Sequence, residues 1–523
     1  MNVEISLEIL KRLSLLGVEE VCICPGGRNA PFVKTLPLFS NLNAYSFYDE
    51  RVAAFFALGL IKQSNKPVAV ITTSGTAVAN LLPATIEAYY SQLPLILITA
   101  DRPQNYRGSA SPQTIEQVGI FTHYAETLCD ISNVDEINFD IKQKPIHINV
   151  CFDEPLLSDW KKYSSQKFHL KNEKDENKEG FGQSLLDESE KNRLKDFFEQ
   201  AKSTLVLLGP DRFDQDIKNI LLEWQLPIYA EACSNLREQK ELQPLLLKSG
   251  EWFLNSNEVL DSFDSVIRIG QIPTVRLWRD LENRLKHWSV LSFSDHPFSG
   301  LSRVKLPPLK LCHLSKVKNF LNAEPNQLKN HKIFSSDKVF LNNLNSKLEM
   351  YPLSEQSWVR AISEWIPSNS QVFLGNSLPI REWDLTATFQ EKNLNFQCNR
   401  GANGIDGLIA TAMGWTKKNK TTFCILGDLS ALYDMNALQS IIYAKGPLHV
   451  IVINNGGGRI FSPLFNDKNF ENRHELNFKN LAEMFHFKYY LINQPDFSKV
   501  ELSKVSLIEV APNNQQTAEV YLD

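Results

Sequence analysis

Short apolar runs alternate with longer amphipathic segments over the first third of the chain. Residues 5–16 repeat their apolar positions at helical spacing and stop at Gly17, a residue suited to the left-handed position that ends a helix. The run 20–24 predicts a strand that ends in Pro25-Gly26-Gly27-Arg28. A second strand is predicted over 43–48, then a helix over 50–62. The run 67–73 predicts a buried strand, after which Ser74-Gly75-Thr76 opens a helix reaching Ser91. Another buried strand over 94–100 ends in Asp101-Arg102-Pro103, and 145–150 reads as the last strand of this unit. Short apolar strands that alternate with helices predict βαβ units and a parallel sheet.

From about 160 to 195 the pattern changes. The stretch KKYSSQKFHLKNEKDENKEG is polar and charged, which is a linker composition. A second α/β pattern follows, with strands predicted at 203–208, 226–230, 265–269 and 287–293. An irregular stretch near 323–338 leads to a third, with strands at 371–374, 395–397, 421–426, 449–453 and 504–510. The expectation is α/β: three doubly wound domains with mainly parallel sheets, over 1–160, 190–325 and 350–523. No short solenoid repeat is present.

Composition narrows the class. With 43% hydrophobic and 22% charged residues in 523, each domain can bury a core, which excludes a disordered or fibrous chain. Lys+Arg number 55 against 60 Asp+Glu, a net charge of -5 that argues against a nucleic-acid partner. The longest apolar runs, such as 93–100, are too short to span a bilayer. The first residues read as an amphipathic helix and not an export signal, so a cytoplasmic location is expected. Eight cysteines in this length are not a disulfide framework. Cys22 and Cys24 fall on one face of one strand and read as buried thiols.

The chemistry is concentrated in the third domain. One predicted strand ends in Gly427-Asp428, followed by Leu429-Ser430 and a helix. The next ends in Asn454-Asn455-Gly456-Gly457-Gly458. In an open parallel sheet, ligands bind beyond the carboxyl ends of the strands, so Asp428 and Asn455 can meet there. A carboxylate, an amide oxygen and a backbone carbonyl of the glycine-rich turn are hard ligands that suit Mg²⁺. A helix starting near Ser430 would point its N–H groups at the same place, where they favour an anion. Together these features describe a metal-clamped diphosphate. Taken singly, each half reads as an ordinary strand-end turn.

Gly427-Asp428, 25 intervening residues and Asn454-Asn455 resemble the thiamine diphosphate motif GDG–(25–30)–NN. Leu429 stands where that motif usually has Gly, a departure known in one branch of the family. YDERVAAFFALGL, TTSGTAVANLLPATIEAYYSQLPLILITADRP, GNSLPIREWD, NRGANGIDG and GDLSALYDMNAL are similar to the branch of 2-succinyl-5-enolpyruvyl-6-hydroxy-3-cyclohexene-1-carboxylate synthases of menaquinone biosynthesis. The likeness covers the first and third domains nearly throughout; the middle domain matches only in size and general pattern. It implies the thiamine diphosphate-enzyme fold, with a pyrimidine-binding, a central and a diphosphate-binding domain. It also implies a transferase that uses thiamine diphosphate with Mg²⁺ or Mn²⁺. Such an enzyme decarboxylates 2-oxoglutarate and adds the resulting carbanion to isochorismate in a 1,4-addition.

The resemblance also assigns roles. Glu50 would be the catalytic group that hydrogen-bonds N1′ of the cofactor, and Ile405 the apolar prop under its rings. Gly427, Asp428, Leu429, Ser430 and Asn455 would hold the cofactor, and Asp428, Asn455 and Gly457 the metal. Both substrates are dicarboxylates. Arg28, Arg102, Arg381 and Arg400 lie just after predicted strands, and an arginine fork binds a carboxylate bidentately. Gln113 and Ser377 match substrate contacts. Gly27 stands where the family usually has Ser, which puts about 1 kcal/mol of one hydrogen bond in doubt. Ile460, Phe461 and Leu464 look like an apolar wall over the reacting centre. No histidine in the matched motifs stands out as an acid–base group, and no flavin pattern marks the middle domain, so no FAD is expected. The likeness implies a homo-oligomer, dimer or tetramer, with active sites between chains. Two other readings share these residues: an acetolactate-synthase-like enzyme or simple 2-oxo acid decarboxylase, and a non-catalytic sensor of isochorismate or cofactor.

Overall fold

Strands buried along their whole length need cover on both faces, and the apolar runs of the first domain meet that demand. The computed structural model describes residues 1–170, 186–211, 215–319, 331–465 and 467–521. The first sheet comprises β1 (Glu20–Ile23), β2 (Asn43–Ser46), β3 (Val68–Thr72), β4 (Leu95–Asp101), β5 (Glu126–Ile131) and β6 (Ile146–Cys151), in the order β2-β1-β3-β4-β6-β5. The second has β7 (Thr204–Leu208), β8 (Ile228–Ala230), β9 (Ser265–Ile269) and β10 (Ser289–Phe293), in the order β10-β9-β7-β8. The third has β11 (Gln371–Leu374), β12 (Asn395–Gln397), β13 (Thr422–Gly427), β14 (Leu448–Ile453), β15 (Lys488–Ile492) and β16 (Ser506–Val510), in the order β12-β11-β13-β14-β16-β15. Registered pairs in all three sheets are parallel. The first and third sheets share one strand order, so each reverses direction between its first and third strands. That reversal is where an open α/β sheet makes its ligand crevice.

The chain divides into two compact units. One takes the described residues of 1–177 with Asn399–Thr422 and Ser430–Leu448; the other takes those of 178–398 with 423–429 and 449–523. In the first unit, the alternate strand residues Ala69, Ile71, Ile96, Ile98, Ile148 and Val150 form one core with Val3, Leu7, Leu10 and Leu13 of the Asn2–Leu15 helix. The helix Glu50–Ser64 is buried at every position from Val52 to Lys62. A helix apolar all round needs two partners. This one lies between the sheet and the Leu408–Trp415 helix, itself wholly buried.

That helix pair meets backbone to backbone. A Cβ at Gly59 would lie 2.1 Å from the Thr411 carbonyl oxygen, and one at Gly414 2.1 Å from that of Phe56. The Thr411 hydroxyl donates to the Phe55 carbonyl at 3.1 Å. Glycine here serves close approach and not an unusual dihedral.

Several local expectations change. The helix expected from 74 to 91 is two, Thr76–Ala79 and Leu82–Tyr90, the second opening with Pro83 in its first turn. A proline there has no N–H to continue the first helix. β5 and β15 lie at sheet edges and are only partly buried, so neither carries the continuous apolar run that marks a central strand. Within the expected linker, Phe168 stacks on Phe39 at 4.8 Å and a helix starts at Glu188, while 171–185 lie outside the described residues. Of the irregular stretch 323–338, residues 331–338 open the helix His331–Met350 and the rest lie outside the described residues.

The glycine contact gives a stability prediction. Gly414→Ala should destabilise the protein by about 1–3 kcal/mol, because the methyl group meets main chain that cannot rotate away. Gly27→Ala should leave thermal unfolding unchanged, since a Cβ there has no atom of the described residues within 4 Å. Calorimetric melting of both variants checks the pair.

Candidate active site

β13 delivers Asp428 to the carboxyl edge of the third sheet, and the neighbouring β14 delivers Asn455. The Asp428 side chain is almost wholly buried. Its Oδ2 accepts N–H groups from Gly456 at 2.8 Å and Gly457 at 2.9 Å, and its Oδ1 accepts that of Leu429 at 2.6 Å. Burial pushes its carboxyl above the ordinary range, and these amides and His474 pull it back. Nε2 of His474 lies 3.4 Å from Oδ2. Nδ1 of that ring accepts the Leu476 N–H, so in the neutral ring the proton sits on Nε2, toward Asp428.

Asn455 lies at the same edge, after the neighbouring strand. Its Nδ2 donates to Glu355 at 2.8 Å. Its backbone carbonyl accepts Arg459 Nε at 3.1 Å and Asn514 Nδ2 at 3.0 Å. Its side-chain oxygen Oδ1 is buried and has no hydrogen-bond partner among the described residues. A buried amide oxygen without a donor is costly unless something absent from the bare chain satisfies it. A divalent cation does this, and a carboxylate with an amide oxygen is a donor set that suits Mg²⁺. Gly456 and Gly457 have φ of 79° and 134°, which only glycine adopts without strain. A Cβ on Gly457 would also strike the Glu471 carbonyl at 2.5 Å. The Gly457 carbonyl accepts the Arg459 N–H at 2.9 Å and keeps a second lone pair. The residues therefore fit the metal expected from the sequence. The helix after β13 begins at Asp428, two residues earlier than expected, and ends at Tyr433.

The first strand of the same sheet contributes Ser377 and Arg381. Ser377 has φ 75° and ψ −131°, a strained conformation for a residue with a side chain, and it caps the Leu378–Thr386 helix. Its carbonyl accepts from Arg381 at 2.8 Å. Ile460, Phe461 and Leu464 fall on the helical turns Arg459–Phe461 and Ser462–Phe465 that follow the glycine turn. Phe461 and Leu464 are exposed.

The other unit holds the remaining residues. Asp49 caps the Glu50–Ser64 helix through the Val52 N–H, and Glu50 begins it just beyond β2. Asn80 Nδ2 donates to Glu50 at 3.5 Å. Arg28, after β1, donates to the Phe152 carbonyl at 3.0 Å and pairs with Glu154 at 3.1 Å. Arg102, after β4, donates to the Pro112 carbonyl at 3.1 Å. Gln113 follows in the same loop, at φ 55°, against Gly75. Arg28, Arg102 and Gln113 thus gather at the carboxyl edge of the first sheet. Gly27 sits in open space at an ordinary φ, so nothing in the fold demands glycine there.

The loop 399–407 carries Arg400 and Ile405. The buried Glu87 carboxylate accepts the N–H groups of Gly401 at 3.0 Å and Ala402 at 2.7 Å, and the Ser91 hydroxyl at 2.9 Å. Gly407 ends the loop at φ 65°, where a Cβ would overlap the Phe55 ring. A cavity of about 190 Å³ lies between this loop and the first domain, lined by Phe55, Ile86, Glu87, Asn399, Gly404 and Asp406. Ile405, between the last two, is partly exposed.

Each unit thus assembles its own part of the expected set. Asp428, Leu429, Asn455, Gly457, Ser377 and Arg381 share the third sheet's edge. Glu50, Arg28, Arg102, Gln113 and the loop with Arg400 and Ile405 belong to the other unit. Sequence reasoning passed over Glu87, Glu355 and His474. Glu87 left one signal, a carboxylate inside an otherwise apolar helix. Glu355 looked like any acid in a helical first turn, and His474 gave no signal.

Residues 5–120 match the family described as "Thiamine pyrophosphate enzyme, N-terminal TPP binding domain", and residues 388–506 the corresponding C-terminal TPP binding domain. A 2-succinyl-5-enolpyruvyl-6-hydroxy-3-cyclohexene-1-carboxylate synthase of Bdellovibrio bacteriovorus is 39% identical over 99% of this chain and 98% of its own length. The synthase of Akkermansia muciniphila is 35% identical over 98% and 97%, and that of Oceanobacillus iheyensis 28% identical over 97% and 94%. With relatives of this identity along nearly its entire length and both cofactor-binding domains matched, the chain belongs to the thiamine diphosphate-dependent 2-succinyl-5-enolpyruvyl-6-hydroxy-3-cyclohexene-1-carboxylate synthase family.

Proposed function

We propose that this chain catalyses the reaction its family is named for: 2-oxoglutarate loses CO₂, and the remaining succinyl carbons join isochorismate by 1,4-addition. The observation that carries the reading is the unpaired, buried Oδ1 of Asn455 beside the buried carboxylate of Asp428, in a chain related to these synthases along its whole length. Thiamine diphosphate, when bound, supplies the carbon nucleophile and the electron sink that decarboxylation needs.

The chain supplies position, charge and exclusion of water. Asp428, Asn455 Oδ1 and the Gly457 carbonyl would hold Mg²⁺ or Mn²⁺, with Gly427, Leu429 and Ser430 beside the diphosphate. Glu50 would hold a proton at N1′, and Ile405 would give apolar support to the cofactor rings. Arg28, Arg102, Arg381 and Arg400, with Gln113, Ser377 and the backbone at Gly27, would receive the substrate carboxylates. Arg28 can exchange partners at little cost, because its present acid, Glu154, is 68% exposed and such a pair is weak. Ile460, Phe461 and Leu464 would cover the reacting carbons and keep water out. The protein would work in the cytoplasm, and no described helix is long and apolar enough to cross a membrane.

We also infer a homo-oligomer with shared sites. Within the chain, the Glu50–Ser64 helix packs on the chain's own Leu408–Trp415 helix. Shared sites would bring Glu50 of one copy to Asp428 of the other about a two-fold axis.

The direct test supplies thiamine diphosphate, Mg²⁺ and 2-oxoglutarate and follows CO₂ with and without isochorismate; release that isochorismate does not accelerate would refute the synthase reading. Glu50→Gln should keep cofactor affinity and lose nearly all turnover, because a neutral amide lacks the negative charge with which Glu50 would hold a proton at N1′. Wild-type rates in that variant would remove Glu50 from its role. Asp428→Ala should abolish cation-dependent cofactor binding in titration calorimetry, since it removes the one anionic ligand proposed. Mixed and refolded Glu50→Gln and Asp428→Ala chains should recover about a quarter of wild-type activity, because about half the dimers then hold one intact shared site. A mixture that stays inactive while refolded wild type is active would place the site within one chain.

A further inference from the structure

An asparagine that ligates a cation must present its oxygen, yet the two ends of its amide have nearly the same shape. Packing alone therefore does not choose between them; a hydrogen-bond partner does. Main-chain contacts leave the choice open at Asn455. Arg459 and Asn514 both bind its backbone carbonyl, which fixes the turn but not the side chain. The amide itself is held by Glu355, which accepts Nδ2–H at 2.8 Å across 100 residues of sequence.

Glu355 is an unusual residue to bury. It is 1% exposed. Ser354 caps its helix, Glu355–Trp365, and the Glu355 N–H donates to the Thr517 hydroxyl at 2.9 Å. Among the described residues its Oε1 has no hydrogen-bond partner, and the groups that act on it are Asn455 and Asp428, with no cation. A carboxyl so placed costs stability, which a leucine or methionine of similar volume would not. What it provides is an oxygen aimed at Asn455 Nδ2.

We propose that Glu355 is a positioning residue that sets the Asn455 amide so that Oδ1, and not Nδ2, faces the divalent cation. The oxygen of Glu355 accepts one end of the amide and thereby turns the other end toward the glycine turn. This inference rests on the metal site proposed above, and it adds a residue outside the recognised motifs. Partners that orient a metal ligand through its far atom typically change metal affinity about 10- to 100-fold when lost.

The test measures thiamine diphosphate binding by calorimetry as Mg²⁺ is varied, and Mn²⁺ binding by electron paramagnetic resonance, with no substrate present. In Glu355→Gln the replacement amide can offer either an oxygen or an NH₂ group, so both orientations of Asn455 become accessible. The cation concentration for half-saturation should rise about 10-fold. Asn455→Asp should be worse, since two buried acids then face each other. The double variant Glu355→Gln/Asn455→Asp exchanges donor and acceptor: the introduced amide donates to one oxygen of the introduced carboxylate and turns the other oxygen to the cation. It should recover most of the affinity that Asn455→Asp loses, which a merely space-filling role of Glu355 would not produce. Unchanged cation dependence in Glu355→Gln, or a double variant no better than Asn455→Asp, overturns the proposal while leaving the metal site intact. Wild-type protein that binds the cofactor equally well without divalent cation removes the metal site and this proposal with it.

Discussion

The contact between Gly59 and Gly414 is the constraint on which much of the first unit depends. Each lies where a methyl group would enter the other helix's main chain. Because backbone touches backbone, the Glu50–Ser64 and Leu408–Trp415 helices have no slack in their separation. Glu50 starts the first of these helices, and the loop with Arg400 and Ile405 opens into the second. The placement of Glu50 and of the loop with Ile405 is therefore set by the same close approach. Glu87 completes the arrangement by accepting two N–H groups of that loop, so that its irregular backbone is satisfied by a buried carboxylate.

At the third sheet's edge the controlling term is desolvation. Asp428 and Glu355 are both acids with almost no exposure. Burial pushes the Glu355 carboxyl up to about 7, partly opposed by its hydrogen bond from Asn455. Asp428 is better compensated, since three backbone N–H groups and His474 face it. The cation proposed for this edge would offset the remaining cost and satisfy the unpaired Asn455 oxygen.

The first and third sheets share a strand order, and the same kind of edge serves two different tasks. In the first sheet it carries arginines, which suit carboxylates. In the third it carries an acid, an amide and glycine amides, which suit a metal and a diphosphate. The departures from the family pattern fall where the fold is permissive. Gly27 occupies open space that a serine would fit. Leu429 gives Asp428 its backbone N–H, a group that leucine and glycine supply alike.

Much of this was legible in the sequence because it is local. Strand and helix periods, the Pro25–Arg28 and Asn399–Gly407 loops and the 25 residues between Asp428 and Asn454 are properties of contiguous residues, and they marked three parallel α/β sheets and the strand-end turns with Asp428 and Asn455. Edge strands such as β15 were not legible, since a strand exposed on one side needs no continuous apolar run. The break between Ala79 and Leu82 was missed because helical periodicity continues across it while the hydrogen bonds do not. Only the tertiary structure showed that Glu87 holds residues 401 and 402, and that Glu355 holds Asn455. An acid in a helix has the same local pattern whether it faces water or a distant backbone. Its partner is chosen by how the sheets and helices pack, and the sequence by itself carries no local trace of that choice.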